Sequence, residues 1–385
     1  MRKGWEYKKL GEVCTIKAGY TPPKDELFDN GAYPYYKVAD MNTLGNDVYL
    51  DITSSYKIDA NKLFPKGAIV FPKNGAAVST NKKRILKYDS IVDLNTGVAI
   101  FQKSINEKFA YYWFIDTDFK KYVRGGALPT LDIKSLKDKP FPSIEKSTQL
   151  AIVSELDKIN ELIRLKKEQL KDFDNLAQSL FYEMFGDPVE NEKGWEVKKL
   201  KEIVSDNCSI SYGIVQPGDG VENGVPVVRP VDMTKTFVSR KGLKNTTKEI
   251  SDSYKRTILK GNEILMCVRG TTGLISMATP ELQGCNVTRG IAPIECGPTC
   301  DKWFVFYQIL NPAIQHHIAE YTRGIALKQI NMKDVRDISL CLPPLPLQRL
   351  FAQRIEQIER EKSEVQKSIQ DLETLLASRM QYWFE

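Results

Sequence analysis

The residues of this chain that could do chemistry are cations and amides placed at turns. Lys73-Asn74-Gly75 and Arg269-Gly270-Thr271 each follow a short apolar run and precede a Gly-rich bend. Lys37 and Arg229 stand in the same way after Tyr36 and Val228, and Arg289 precedes Gly290. Lys82-Lys83-Arg84 is a compact cationic cluster beside Ser79, Thr80 and Asn81, with Arg240-Lys241 and Lys255-Arg256 as its nearest counterparts. Such groups suit duplex DNA. An arginine fork matches the edge of guanine, an Asn or Gln amide matches adenine, and lysine neutralises phosphate. One basic cluster taken alone is more often a solvated face. Repeated at corresponding turns, these residues predict DNA contacts at Lys37, Lys73, Asn74, Lys82, Lys83, Arg84, Arg229, Arg240, Arg269 and Arg289.

Motifs for catalysis do not accompany them. The sequence carries no Gly-x-x-x-x-Gly-Lys-Ser/Thr phosphate loop, no clean Gly-x-Gly-x-x-Gly after a strand, and no Asn-Pro-Pro-aromatic motif of an amino-methyltransferase. Its two histidines, His316 and His317, are adjacent and would face different directions on a helix. Cys296 and Cys300 have CxxxC spacing with Cys285 upstream, but no second close pair completes a metal site, so free thiols are expected. The expectation is a non-catalytic chain without a metal or cofactor of its own.

The elements that must position the turns come in two sets. Gly4-Trp5-Glu6-Tyr7-Lys8-Lys9-Leu10 returns as Gly194-Trp195-Glu196-Val197-Lys198-Lys199-Leu200, and Arg124-Gly125-Gly126-Ala127-Leu128 as Arg323-Gly324-Ile325-Ala326-Leu327. Asp40-Met41 matches Asp232-Met233, and Asn95-Thr96-Gly97-Val98-Ala99 is set over Thr288-Arg289-Gly290-Ile291-Ala292. Each half offers β-like runs between turn signals: Tyr33 to Val38, Ala68 to Phe71, Ser90 to Asp93 and Val98 to Gln102, then Val225 to Arg229, Glu263 to Val268 and Ile291 to Ile294. Aromatic helix-like stretches follow, Phe109 to Tyr122 and Lys302 to Tyr321. The class is α/β or α+β.

Proline-rich hinges, Pro140-Phe141-Pro142 and Pro343-Pro344-Leu345-Pro346, introduce two long Pro-free tails. Their apolar residues recur at spacings of three and four, with Leu156, Ile159, Ile163, Leu170, Phe173 and Leu180 in the first and Ile355, Ile358, Val365, Ile369, Leu372 and Leu376 in the second. That is a heptad seam. A helix of about 35 residues, some 50 Å long, with one apolar stripe cannot stand alone in water. Antiparallel pairing of the two tails is therefore expected. Lys166 and Lys362 interrupt the seam, which can set register at a cost in stability, though snorkelling of their stems is the simpler reading. The halves read as residues 1–140 (globular), 141–186 (helix), 187–342 (globular) and 343–385 (helix), an internal repeat with pseudo-two-fold symmetry that suits a two-fold partner such as duplex DNA.

Bulk properties agree with a folded, mildly basic protein. The chain has 385 residues, 42% hydrophobic content and a net charge of +6, which is compatible with nucleic acid. The start has no apolar run, no stretch is long enough for a membrane span, and the seven cysteines are an odd set. A cytoplasmic protein with reduced thiols is expected.

The order of globular domain, Pro-rich hinge and long helix, repeated, resembles the specificity subunit of type I restriction–modification systems. Gly4-Trp5-Glu6 with Lys9-Leu10 looks like the opening of that family's target-recognition domains. Lys260-Gly261-Asn262-Glu263-Ile264-Leu265 followed by Arg269-Gly270-Thr271 is similar to its Gly-Asp-Ile-Leu strand and Arg-Gly turn, with Asn262-Glu263 in place of the usual Asp. Pro343-Pro344-Leu345 with Gln348 resembles the start of its spacer helix, and Pro142-Ser143-Ile144 with Gln149 is a looser copy. The resemblance implies two target-recognition domains that each grip one half of a bipartite, asymmetric site in double-stranded DNA. It implies two methyltransferase subunits as partners, carrying S-adenosylmethionine, and restriction or translocase subunits using ATP and Mg, with no membrane. Half-site centres about one helical turn apart are expected. A type II-like specificity chain shares this architecture, and a coiled-coil scaffold without DNA is the remaining alternative.

Overall fold

The computed structural model describes all residues except 1, 3, 60–61, 126–128 and 325–327. The last three residues of each arm of the expected echo between Arg124–Leu128 and Arg323–Leu327 lie outside the described residues. Two compact units divide the chain: Met1–Lys167 together with Lys367–Glu385, and Glu168–Gln366.

In the first unit the opening motif and the proline-rich hinge are one ribbon. Strand Glu6–Lys9 pairs antiparallel with Pro140–Ser143, Glu6 opposite Ser143. Proline suits this ribbon because only two strands form it and the missing N–H faces outward. The main sheet follows in the order Cys14–Ala18, Thr96–Phe101, Ile69–Pro72, Arg84–Leu86, Tyr49–Leu50. A smaller sheet sets Tyr33–Tyr36 between Tyr56–Lys57 and Ile91–Val92, the last pair parallel. Gly97 sits opposite Phe71, and any Cβ there would lie 2.4 Å from the Phe71 ring. Helix Glu107–Asp116 then covers the main sheet. Asn106 caps it by accepting from the Lys108 and Phe109 amides, and Phe109 through Phe114 are all buried. Each buried aromatic contributes about 1.5–3 kcal/mol.

The second unit repeats this plan. Glu196–Lys199 pairs with Ser339–Leu342, Val225–Val228 lies parallel to Asn286–Val287, and Ile264–Cys267 lies between Ile275–Met277 and Ile291–Ile294. The stretch expected as one helix from Lys302 to Tyr321 is two, Lys302–Leu310 and Pro312–Glu320. Pro312 cannot continue the first helix, and the Asn311 side chain starts the second by accepting from the Ala313 amide.

The tails are helices Lys146–Phe185 and Leu345–Phe384. Within each unit their segments pack antiparallel. In the first, Glu155 receives Arg379 and Trp383 while Lys167 reaches Glu373. In the second, Asp174 meets Lys362, and Phe181 lies 5.7 Å from Phe351, centroid to centroid. Leu156, Ile159, Ile163, Ile355, Ile358, Val365 and Ile369 are buried, while Leu170, Phe173, Leu180, Leu372 and Leu376 are half-buried. Lys362 does not snorkel. It is held among Asp174 and Glu359 at 2.8 and 2.7 Å.

One buried glutamine per unit joins helix to globular core. Gln149 Oε1 accepts from the Asn106 amide at 2.8 Å and Gln348 Oε1 from the Asp301 amide at 2.9 Å. Both spend Nε2 on the chain just before their own helix, at Ile144 and Pro343. These are the glutamines of the hinge motif, and each ties the start of a long helix to the cap of the domain's aromatic helix.

Candidate nucleic-acid interface

Three strand ends and one hairpin converge at one edge of each unit. In the first, Asp93 N donates to Tyr36 O at 2.9 Å, and Lys73 N to Asn95 O at 2.8 Å. Gly75 N then donates to Pro129 O, Leu131 N to Lys73 O, and Asn74 bridges Thr130. In the second, Thr288 N donates to Val228 O at 3.0 Å, and Val268 N to Gly290 O at 2.8 Å. Gly270 N donates to Lys328 O, Ile330 N to Val268 O, and Arg269 bridges Gln329. The ladders correspond bond for bond. Gly75 and Gly270 both have positive φ, 79° and 90°, which glycine adopts without the Cβ penalty and which turns the chain sharply at each tip.

This correspondence fixes which residues are equivalent. Lys37 matches Arg229, and each opens a turn whose first amide is held by an aspartate, Asp40 at 2.7 Å and Asp232 at 2.8 Å. Asn74 matches Arg269. The strand pairs Pro72 with Thr96 and Cys267 with Ile291, so Thr96 matches Ile291 and Leu94 matches Arg289. The offset expected from Asn95–Ala99 over Thr288–Ala292 is therefore wrong by two positions. Gly97 and Gly290 both lie in strand-end regions and share a residue type, which misleads the eye; the hydrogen bonds decide.

The tips differ in what they offer. Arg269 and Arg289 are half-exposed, and no hydrogen bond or ion pair among the described residues reaches either guanidinium. Lys37 is exposed, its ammonium 5.7 Å from the Tyr35 ring. It shares an open cleft with Asn74, Asp93 and Asn95. Asn74 Nδ2 makes only a long 3.5 Å contact with Asn95 Oδ1. Leu94 is 54% exposed at the adjacent tip.

Other expected contacts are committed elsewhere. Lys83 is fully buried. Its ammonium donates to Thr117 O at 2.8 Å and Asn81 Oδ1 at 2.7 Å and lies 4.1 Å from the Phe119 ring. Burial, opposed by Asp118, lowers its pKa to about 7. Arg84 spends its guanidinium on the carbonyls of Asn46, Lys83 and Met41. The cluster Lys82-Lys83-Arg84 is thus no cationic face: Lys83 and Arg84 point to opposite sides of the chain, and each is taken up by carbonyls there. Lys82 donates to Asn42 Oδ1. Lys73 is half-buried and serves the ladder through its backbone. Arg229 forks Asp232 at 3.0 and 2.8 Å, which raises its pKa. Arg240 donates to Glu281 O.

Sequence reasoning missed Arg124 and Arg323. Both are exposed and stand opposite Thr130 and Gln329 in the edge hairpins, and Arg124 pairs with Asp132 at 2.7 Å. The signal was present, since both belong to the repeated Arg-Gly motif. Gly19 and Gly213 were missed as well. A Cβ on either would lie about 2 Å from a carbonyl oxygen, 2.0 Å at Asp93 and 2.1 Å at Val287, so only glycine lets this strand close on the tip loop. Among the described residues no cluster of three or more His, Cys, Asp or Glu side chains could hold a metal ion, and no helix is long and apolar enough to cross a membrane.

Comparison with known proteins supplies a context for this doubled edge. A family model described as the type I restriction modification DNA specificity domain matches residues 2–172 and again 192–374. The type I restriction enzyme EcoBI specificity subunit of Escherichia coli is 26% identical over 176 residues, 46% of this chain and 37% of that protein. The MjaIX specificity subunit of Methanocaldococcus jannaschii is 23% identical over 97% of this chain and 91% of its own length. Two solved structures share the fold. One is the S subunit of the type I restriction–modification system from M. genitalium, 15% identical with a TM-score of 0.53 over 99% of this chain and 96% of that one. The other comes from work on complex assembly and conformational transition of the type I R-M system, 18% identical with a TM-score of 0.60 over 100% and 98%.

Proposed function

This chain belongs to the type I restriction modification DNA specificity family, and we propose that it is a subunit that reads a bipartite, asymmetric DNA site for catalytic partners. The observation that carries the reading is the edge built twice with one backbone ladder and different side chains. Two like scaffolds with unlike tips are what recognition of two unlike half-sites requires. Cationic and amide groups at loop tips, held by a hydrogen-bonded backbone, supply phosphate contacts and base readers in the same place.

In this reading the chain performs no chemistry. Methyltransferase subunits, two per chain, carry S-adenosylmethionine, and restriction or translocase subunits use ATP and Mg. The paired helices offer those partners a docking surface, and the binding energy of the chain is spent on selecting where they act.

Co-expression with the methyltransferase subunits, followed by long-read mapping of methylated adenines, tests this. A two-part motif with unlike halves is expected. Duplex affinity should also fall steeply with salt, because phosphate contacts release counterions. Salt-insensitive binding together with no methylated motif would sink the reading and favour a protein-binding scaffold.

A further inference from the structure

The matched ladders allow the two readers to be compared position by position, and the comparison goes beyond which surface meets DNA. At the first tip, after the central strand, the first unit carries Asn74 and the second Arg269, each bridged to the edge hairpin by the same backbone pairing. At the second tip the first unit carries Leu94 and the second Arg289, whose amides donate to the Thr21 hydroxyl and to the Ile214 carbonyl in the neighbouring segment. Backbone position is common to both members of each pair, so the side chain alone distinguishes what each can read.

The side chains differ in one consistent direction. Arg269 and Arg289 present guanidinium forks that have no hydrogen-bond or ion-pair partner among the described residues. Other guanidiniums are held closely, as with Arg229 on Asp232 and Arg84 on three carbonyls; what sets Arg269 and Arg289 apart is their place on the two matched tips. A fork left unpaired at a loop tip matches the two acceptors O6 and N7 that guanine alone displays in the major groove. Asn74 offers one donor and one acceptor from a carboxamide, which matches N6 and N7 of adenine. Leu94, 54% exposed, can make only an apolar contact, and the thymine methyl is the apolar group on that groove wall.

We propose, building on the reading of the chain as a DNA specificity subunit, that the second unit recognises guanines through Arg269 and Arg289. The first unit recognises A·T pairs through Asn74 and Leu94. The asymmetry of the DNA site is then an asymmetry of base class, G·C-rich on one side and A·T-rich on the other, at the positions the two tips address.

Methylation mapping of the full chain with its methyltransferase subunits, wild type against single variants, tests the assignment. Arg269→Ala and Arg289→Ala should each relax a guanine in one half of the motif, with preference falling about ten- to hundredfold. The other half should stay unchanged. Asn74→Ala should relax an adenine in that other half only. Arg269→Lys separates readout from folding and charge: it keeps the cation but not the fork, so overall affinity should persist while the guanine preference is lost. A wild-type motif without guanine in either half overturns the assignment, as does guanine preference that survives Arg269→Ala and Arg289→Ala. Either result leaves the specificity-subunit reading standing, provided a bipartite motif appears. If no motif appears and duplex binding is insensitive to salt, the reading and the assignment fall together.

Discussion

Replacing Lys83 by methionine separates a structural lysine from a DNA contact through pH alone. In the folded protein Lys83 has no exposure, and burial lowers its pKa to about 7 from the ordinary 10.5. The folded state therefore binds fewer protons than the unfolded state between those two values. Stability rises with pH wherever the unfolded state holds more protons, so this lysine costs nothing at pH 10.5 and progressively more as pH falls toward 7. Below that the cost is constant. At 1.36 kcal/mol per unit, the span amounts to about 5 kcal/mol at most. Lys83→Met removes that slope and also removes the bonds to Thr117 O and Asn81 Oδ1, a loss of about 1–3 kcal/mol at every pH. The variant should then be less stable than wild type near pH 10 and equal or more stable near pH 7. Urea unfolding at several pH values between 7 and 10 measures the gap, and subtracting the two proteins cancels the other titrating groups. Duplex affinity and its salt slope at pH 7.5 should be unchanged. A gap constant within about 1 kcal/mol across that range refutes the burial argument. A salt slope reduced by about one ion would return Lys83 to the DNA surface.

The helix contacts carry their own predictions. Phe181→Ala removes a ring buried against Phe185, Phe304 and Phe351, and should cost about 3–5 kcal/mol in the unfolding of the second unit; a loss under about 1 kcal/mol would mean that the ring is dispensable. Gln348→Leu keeps volume but leaves Asp301 N and Pro343 O without their partner. It should cost about 2–4 kcal/mol and raise hydrogen exchange at the start of the second helix, and unaltered exchange there would show that water replaces the amide.

The framework was largely legible in the sequence, because the signals that specify it are local. Turn residues, short β-branched runs and a three-four apolar stripe each act over a few residues. They gave the α+β class, both long helices and seven of the strands, among them the central Ile69–Pro72 and Ile264–Cys267, but not edge strands such as Cys14–Ala18 or the Glu6–Lys9 ribbon. The stripe nonetheless missed Phe181, Phe185 and Phe351. A two-helix seam buries a narrow line, whereas these helices also close over a globular core and so bury a wider face. The site was less legible for a related reason. Lys83 and Arg84 look cationic in sequence, but their partners Thr117, Met41 and Asn46 lie far along the chain. Whether a charge meets water or a carbonyl is decided by tertiary contact, on which neighbouring residues are silent. The two-position error at Asn95 arose the same way, since similar short motifs slide easily while ladder bonds do not.

If the tips read DNA as proposed, the doubled edge lets such a chain change what it reads without losing its fold. At both tips the conformation is set by backbone bonds: Gly75 to Pro129 and Gly270 to Lys328, Lys73 to Asn95 and Val268 to Gly290. None of these bonds uses the side chain of Asn74, Leu94, Arg269 or Arg289. Exchanging those side chains alters no ladder bond, so its cost to stability should be near that of an ordinary surface substitution, about 0.5 kcal/mol. The positions that do hold the tips in place are the opposite. Gly19, Gly213 and Gly97 tolerate no Cβ, and Asp40 and Asp232 anchor turns through backbone amides. Under the proposed assignment, specificity and stability rest on different atoms of the same loops, which leaves two copies of one scaffold free to diverge into unlike readers.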